Sequence, residues 1–363
     1  MTPPANGSSK TATITVASTK LEGVRKSVPP APQERKSGAV YFWAIAGLAQ
    51  LALWTNNWVR WVPSAEFKRP DPGPDPYPYM YVLRGTEALN VFLFLFIGHY
   101  TVVKPWAKNG YPSLDGKLFI GGFFASTLDI MFAWFNPTWA MNAYGVAMGS
   151  WANKIPGFPA PGASQVPWGL LWCLPAYIWL GVGAAIFGCA ILDRLRAAFP
   201  TMSTATMYVF VDGVYIAIFT CLAMFWNRTQ VYTYVSLPKA LTLWYGETYQ
   251  LPMYEPVLIG MYCWGFTWVR DGRDARGRCP LDRELPAPDR NQLRTEMLST
   301  VAIIGWAAAV TIIAYMVPFS WLAMMGDSVP ELPSYLQSGI YCGQPGGPLC
   351  PGQYLAKLRM ELP

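Results

Sequence analysis

The sequence predicts an all-α polytopic membrane protein with about seven transmembrane helices, an inner N-terminus, an outer C-terminus and aromatic-rich extracytoplasmic loops. Three observations carry that reading. The 363 residues are 53% hydrophobic and only 13% charged, against roughly 25% charged in a soluble domain. Seven apolar stretches approach the length of about 20 residues that a span needs. The 17 Trp and 20 Tyr are amphipathic rings suited to the membrane–water boundary.

Residues 1–37 are rich in Ser, Thr, Pro and Lys/Arg and lack the apolar core of a signal peptide, so they read as a disordered cytoplasmic tail. The spans follow at Gly38–Val59, Tyr79–Val103, Lys117–Phe135, Trp168–Leu192, Ser203–Phe225, Glu255–Val269 and Met297–Trp321, within a transmembrane domain of residues 38–325. The sixth is the shortest, with a possible earlier start near Leu251. Residues 326–363 read as an extracytoplasmic tail.

Basic residues set the orientation. They gather in the N-terminal tail, at Lys104, Lys108 and Lys117, at Arg194 and Arg196, and in the seven arginines from Arg270 to Arg294. Those segments alternate with poorly basic connections, which places them on the inside. The net charge of +6 therefore reflects inner loops of a membrane protein and not a nucleic-acid surface. Cys342 and Cys350 fall in the outer tail, within a Gly/Pro-rich stretch, where a disulfide is permitted and would staple a segment with little core. No Cys/His cluster suggests a metal or haem, and the single histidine, His99, lies near the inner end of span two.

Three outer connections are long. Residues 58–79 are Pro-rich and should be extended. Residues 136–167 and 226–254 are dense in Trp, Tyr, Asn and Pro, a composition that favours folding over the bundle as a lid.

Ionisable groups inside spans are costly, by roughly 2.5–3.5 kcal/mol on insertion scales, and so face a partner, a cavity or a reaction. Arg84, Glu87, Asp129, Asp212 and Glu255 share the mid-to-outer depth of four spans. Each also has a structural reading. Arg84 and Glu87, three apart, suit an ion pair. Asp212 suits hydrogen bonding between helices. Glu255, just before Pro256, suits a helix start. Asp129 has no partner in its own span. Two buried carboxyls side by side would divide one proton between them, as acid–base chemistry requires. Such a pair beside an apolar cavity fits cyclisation, dehydration or isomerisation of a lipophilic molecule drawn from membrane lipid. Proton-coupled transport uses the same residue types, although no internal repeat is visible. A non-catalytic membrane subunit that binds lipid or pigment beside a protein partner is the third reading.

Three motifs add a resemblance. Asn142-Ala-Tyr-Gly-Val-Ala-Met-Gly-Ser-Trp-Ala-Asn-Lys-Ile-Pro-Gly-Phe158, Tyr249-Gln-Leu-Pro-Met-Tyr-Glu-Pro256, and Ser338-Gly-Ile-Tyr-Cys-Gly343 followed by Cys350-Pro-Gly resemble the AveC-like spirocyclases, actinobacterial integral membrane proteins. The similarity covers most of residues 40–352. It implies a cofactor-free closure of a dihydroxy-ketone polyketide to a spiroketal, with dehydration in some members. Asp129, Asp212 and Glu255 match the family's acidic positions and are the expected catalytic set. Arg84, Glu87, Asn142, Trp151, Tyr249, Gln250 and Tyr254 are the expected substrate contacts. The chain departs from the family at Ile130, Ala133 and Ile216, which replace a Pro, an Asn and a second acid.

Overall fold

The computed structural model describes residues 38–135, 137–159, 162–326 and 331–337. The N-terminal tail and the Cys342–Cys350 pair lie outside the described residues. Seven long helices, among those described, occupy the seven predicted stretches. They are α1 (Ala39–Trp61), α2 (Met80–Asn109), α3 (Leu114–Ala133), α4 (Cys173–Ala198), α5 (Thr204–Arg228), α6 (Glu255–Asp271) and α7 (Arg290–Ala323). Five of them (α2, α3, α4, α5 and α7) are long and apolar enough to cross a membrane. The other two fall short for different reasons. α1 carries Gln50, Asn56 and Asn57 among its apolar residues. α6 has 17 residues, about 26 Å of helix against a hydrocarbon core of roughly 30 Å.

Local chemistry explains the boundaries. The Ser113 side chain caps α3 by accepting from the Gly116 amide, and Ser203 caps α5 by accepting from Thr206. Pro256 sits in the first turn of α6, where its missing N–H costs nothing. Trp168 belongs to a strand, so α4 begins at Cys173, later than expected, whereas α6 begins at the expected Glu255, with Leu251 paired in a strand ahead of it.

The connections after α1, α3 and α5 are joined to one another and form a cap. There they form three two-stranded antiparallel sheets. β1 (Trp139–Met141) pairs with β4 (Tyr232–Tyr234), β2 (Ala147–Gly149) with β3 (Pro167–Gly169), and β5 (Thr242–Leu243) with β6 (Leu251–Pro252). The Pro-rich connection is fastened to them by the Gly149 amide donating to the Lys68 carbonyl at 3.0 Å and the Tyr77 hydroxyl donating to Thr229 at 2.6 Å. Its neighbour Glu66 accepts from Asn153 at 2.5 Å and from Lys154 at 3.1 Å.

Glycines set the closest helix approach. A Cβ at Gly47 of α1 would overlap the Val301 carbonyl of α7, and one at Gly305 would overlap the Trp43 carbonyl. Small residues of this kind let two backbones pack in lipid, where no hydrophobic effect drives helices together. The opposite faces of α1 and α2 expose Phe42, Ile45, Leu89, Phe92 and Leu95, as lipid-facing helices do.

The end opposite the cap is held ionically. Lys117 Nζ meets Glu296 at 2.7 Å, and Arg278 meets Glu296 at 2.5 Å and Asp282 at 3.1 Å. The Ser299 hydroxyl accepts from Lys117 and donates to Asp282. All five side chains are buried. Arg196 grips Asp271 with two bonds of 2.7 and 2.6 Å. Lys117 and Arg278 read in sequence as loop charges. The structure folds both inward because each finds a carboxylate on α7.

Two predictions follow from these contacts. Removing one partner of a buried ion network leaves charge uncompensated, at a cost of about 3–5 kcal/mol. Glu296→Ala should therefore lower the melting temperature in detergent sharply; an unchanged Tm would show that the network contributes nothing. The second concerns Glu66, whose carboxyl is held down from 4.5 to about 2, first by a hydrogen bond from Ser64 and then by Asn153. A depressed folded-state pKa gives stability that is present above about 4.5 and lost as pH falls toward about 2. Proteolysis of the 153–159 loop should rise across that window in the native chain and stay pH-independent in Glu66→Gln.

Candidate active site

Two carboxylates from different helices converge beneath the cap. Asp129 lies in the last turns of α3, where Ser126–Ala133 tighten into a 3₁₀ helix. Its Oδ2 accepts from the Trp168 indole at 2.7 Å and its Oδ1 from the Tyr177 hydroxyl at 2.8 Å. Trp168 comes from β3 of the cap and Tyr177 from the first turns of α4. Glu255 is the first residue of α6 and is almost fully buried.

Asp129 and Glu255 line one cavity of about 40 Å³ with Trp139, Trp172, Tyr177, Tyr232 and Tyr315. A second cavity, of about 30 Å³, meets Asp129 from the side of Ile130, Ala133 and Trp168. Ile130 and Ala133 therefore form an apolar wall beside the acid. The ring of Tyr315 is brought into the first cavity by a π-helical segment of α7, Thr311–Met316. A second π-helical segment, Trp179–Gly183 in α4, contributes Trp179 and Leu180. Such bulges turn side chains out of regular helical register and recur at functional sites.

The polar groups here are incompletely paired. Tyr234 and Tyr315 hydroxyls lie close to the Glu255 carboxylate, yet Glu255 Oε2 has no hydrogen bond of acceptable geometry. Neither have the Tyr234 hydroxyl, the Tyr254 hydroxyl or the Trp139 indole N–H. Of these, Glu255 Oε2 and the Trp139 N–H belong to residues that line the cavity; buried polar atoms are normally satisfied, so the pair marks a place suited to a polar guest. Among the described residues no group of His, Cys, Asp and Glu is arranged to hold a metal ion.

The other expected site residues go to three places. Arg84 and Glu87 form an ion pair at 2.6 Å and clamp the cap backbone. Glu87 Oε1 accepts from the Val146 amide at 2.6 Å and Arg84 donates to the Tyr144 carbonyl at 2.9 Å. Asn142 and Gln250 also hold backbone. Asn142 donates to Gln230 and accepts from Tyr144, and Gln250 donates to the Tyr234 carbonyl at 2.9 Å. Trp151 donates to the Thr127 carbonyl and packs at 4.5 Å on Trp168, which puts it one ring behind Asp129. Tyr254 adjoins Glu255 and packs on Phe319, whereas Tyr249 lies under the Arg228 guanidinium at 4.2 Å. Asp212 lies apart, in a groove between α5, α6 and α7.

Sequence reasoning missed Trp168, Tyr177, Tyr232, Tyr234 and Tyr315. One signal was present. Tyr177 and Tyr315 are hydroxyl-bearing rings inside apolar spans, and a buried tyrosine hydroxyl usually seeks a partner.

The family model described as spirocyclase AveC-like matches residues 112–337, more than half of the chain. The match takes in Asp129, Glu255 and Tyr315 and begins after α2, later than the resemblance suggested. No curated protein and no solved structure matches the chain. The matched region contains both Asp129 and Glu255, and the chain belongs to the AveC-like spirocyclase family.

Proposed function

We propose that the chain is a membrane enzyme that closes or dehydrates a lipophilic, polyketide-like substrate by acid–base chemistry at Asp129 and Glu255. The observation that supports this most directly is that the two carboxyls share one cavity whose wall carries unpaired polar atoms. The roles differ because the surroundings differ. Both Asp129 oxygens already accept hydrogen bonds, which suits an anion facing a developing cation. Glu255 Oε2 has no donor, which suits a proton carrier.

In this reading Glu255 protonates a hemiketal hydroxyl and the C–O bond breaks, releasing water. The oxocarbenium ion left behind is stabilised by Asp129, an interaction stronger in the transition state than with neutral substrate. A second hydroxyl of the substrate attacks the cationic carbon, and its proton returns to Glu255. The balance is one water lost and both carboxyls restored. Tyr177 and Trp168 hold Asp129 in place throughout. Asp212 would act on this centre only through its field, since it lines a different groove. Arg84, Glu87 and Asn142 would shape the site by holding the cap.

The cavity is small for that task. About 40 Å³ is room for a few waters, while clefts for drug-sized ligands run to roughly 300–1,000 Å³. Substrate binding therefore requires the aromatic wall to open, and Trp139, Trp172 and Trp226 are the rings that would move. The charge pattern favours an orientation with the cap outside the cytoplasm of a bacterial cell.

General acid–base groups contribute about 10²–10⁴-fold, and Glu255→Gln should lower turnover by that amount with little change in melting. Asp129→Asn should do the same and also cost about 1–3 kcal/mol, because its NH₂ would face a donor. The test is mass spectrometry of lipid-soluble metabolites from cells with and without the gene, repeated with each variant. Accumulation of a precursor one water heavier than the lost product supports the reading. A metabolite set unaltered by gene loss, or full turnover in Glu255→Gln, removes it.

A further inference from the structure

The groove that holds Asp212 shares no lining residue with the Asp129–Glu255 cavity. It measures about 610 Å³ and runs between α5, α6 and α7. Its wall is apolar and aromatic, with Trp264 and Trp268 from α6 and Trp306 from α7, and Asp212 supplies its one charged side chain. Val209 and Met261 stand on its rim, 72% and 46% exposed, on the outward faces of α5 and α6.

Among the described residues Asp212 Oδ1 finds no hydrogen-bond partner. The atom is sealed against Gly260, where a Cβ would lie 2.6 Å away. On the same helix, Tyr208 donates instead to Asp271 at 2.8 Å and Tyr215 to the Ala184 carbonyl at 2.7 Å. A carboxyl in an apolar wall is expensive to keep without a partner. With Oδ1 closed off by Gly260, Oδ2 is the oxygen left to a molecule in the groove, which lies in the size range of ligand clefts, roughly 300–1,000 Å³.

We propose that this groove binds a lipid-soluble alcohol, a single-chain or fused-ring molecule whose hydroxyl hydrogen-bonds Asp212 while its apolar body lies along Trp264, Trp268 and Trp306. A hydroxyl fits better than an ammonium, because a cation would lose its hydration for a single carboxylate with no second acceptor nearby. A two-chain phospholipid would overfill the space. The inference is independent of the reaction assigned to Glu255.

The test uses the purified full chain in phosphatidylcholine nanodiscs and hexadecanol carrying a photoreactive diazirine, with crosslinks mapped by mass spectrometry. Labelling should concentrate around Val209 and Met261. Asp212→Leu should weaken it about tenfold, the scale of one hydrogen bond to a charged or desolvated group. Val209→Trp, which fills the groove and leaves the carboxyl intact, should abolish it, while Glu255→Gln should leave it unchanged. Gel filtration of each variant shows whether it remains folded. Equal labelling by the methyl ether of the same alcohol overturns the proposal, as does labelling that survives both groove variants. So does preferential displacement by hexadecylamine or by added phospholipid.

Discussion

The two hydrogen bonds that hold Asp129 tie three parts of the molecule together. Trp168 donates from the cap, Tyr177 from α4, and the acceptor stands on α3. Trp168 is in turn packed on Trp151, whose indole is anchored to the Thr127 carbonyl of α3. The Trp61 indole reaches across from α1 to the Gly149 carbonyl of β2. A carboxylate that loses water on entering this environment must recover its hydrogen bonds from the chain, and the cap is folded so as to supply them. Most of its irregular backbone is fixed by the same demand, since hydrocarbon offers it no partners.

The two ends of the bundle meet that demand with different chemistry. At the cap, indoles, phenols and short strands satisfy the backbone, and ion pairs such as Glu66–Lys154 lie toward the surface. At the other end Lys117, Arg278, Asp282 and Glu296 neutralise one another in the interior. A balanced ionic network is rigid and intolerant of loss. An aromatic wall with unpaired hydroxyls can part around a guest and re-pair with it. The candidate site lies at the end built in the second way.

Two departures from regular helix position groups of the candidate site. The 3₁₀ turns at Ser126–Ala133 place Asp129, and the π-helical segment at Thr311–Met316 places Tyr315. A regular α-helix would turn each of these side chains to a different bearing and separate the groups that now line one cavity. The 40 Å³ left between them is bounded on one side by the cap rings Trp139 and Tyr232.

Hydropathy and length determined the helical elements by themselves, because a span is a local property of some twenty residues. The chemistry of the site was legible in part. A carboxylate in an apolar segment stands out at Asp129, Asp212 and Glu255 without any knowledge of the fold. Which of them meet is another matter. Asp129 and Glu255 are far apart in sequence and come together only when α3 and α6 pack, while Asp212 is turned to a separate groove by the face that α5 presents. Counting charges also misjudged Lys117 and Arg278, because charge sign is written in the sequence and the partner is not. The donors that hold Asp129 were hidden for the same reason: a tryptophan at the start of an apolar stretch looks like an interfacial ring until a strand pairing aims its N–H inward. Local composition decides what can cross or be buried, and only packing between distant segments decides which polar group finds which.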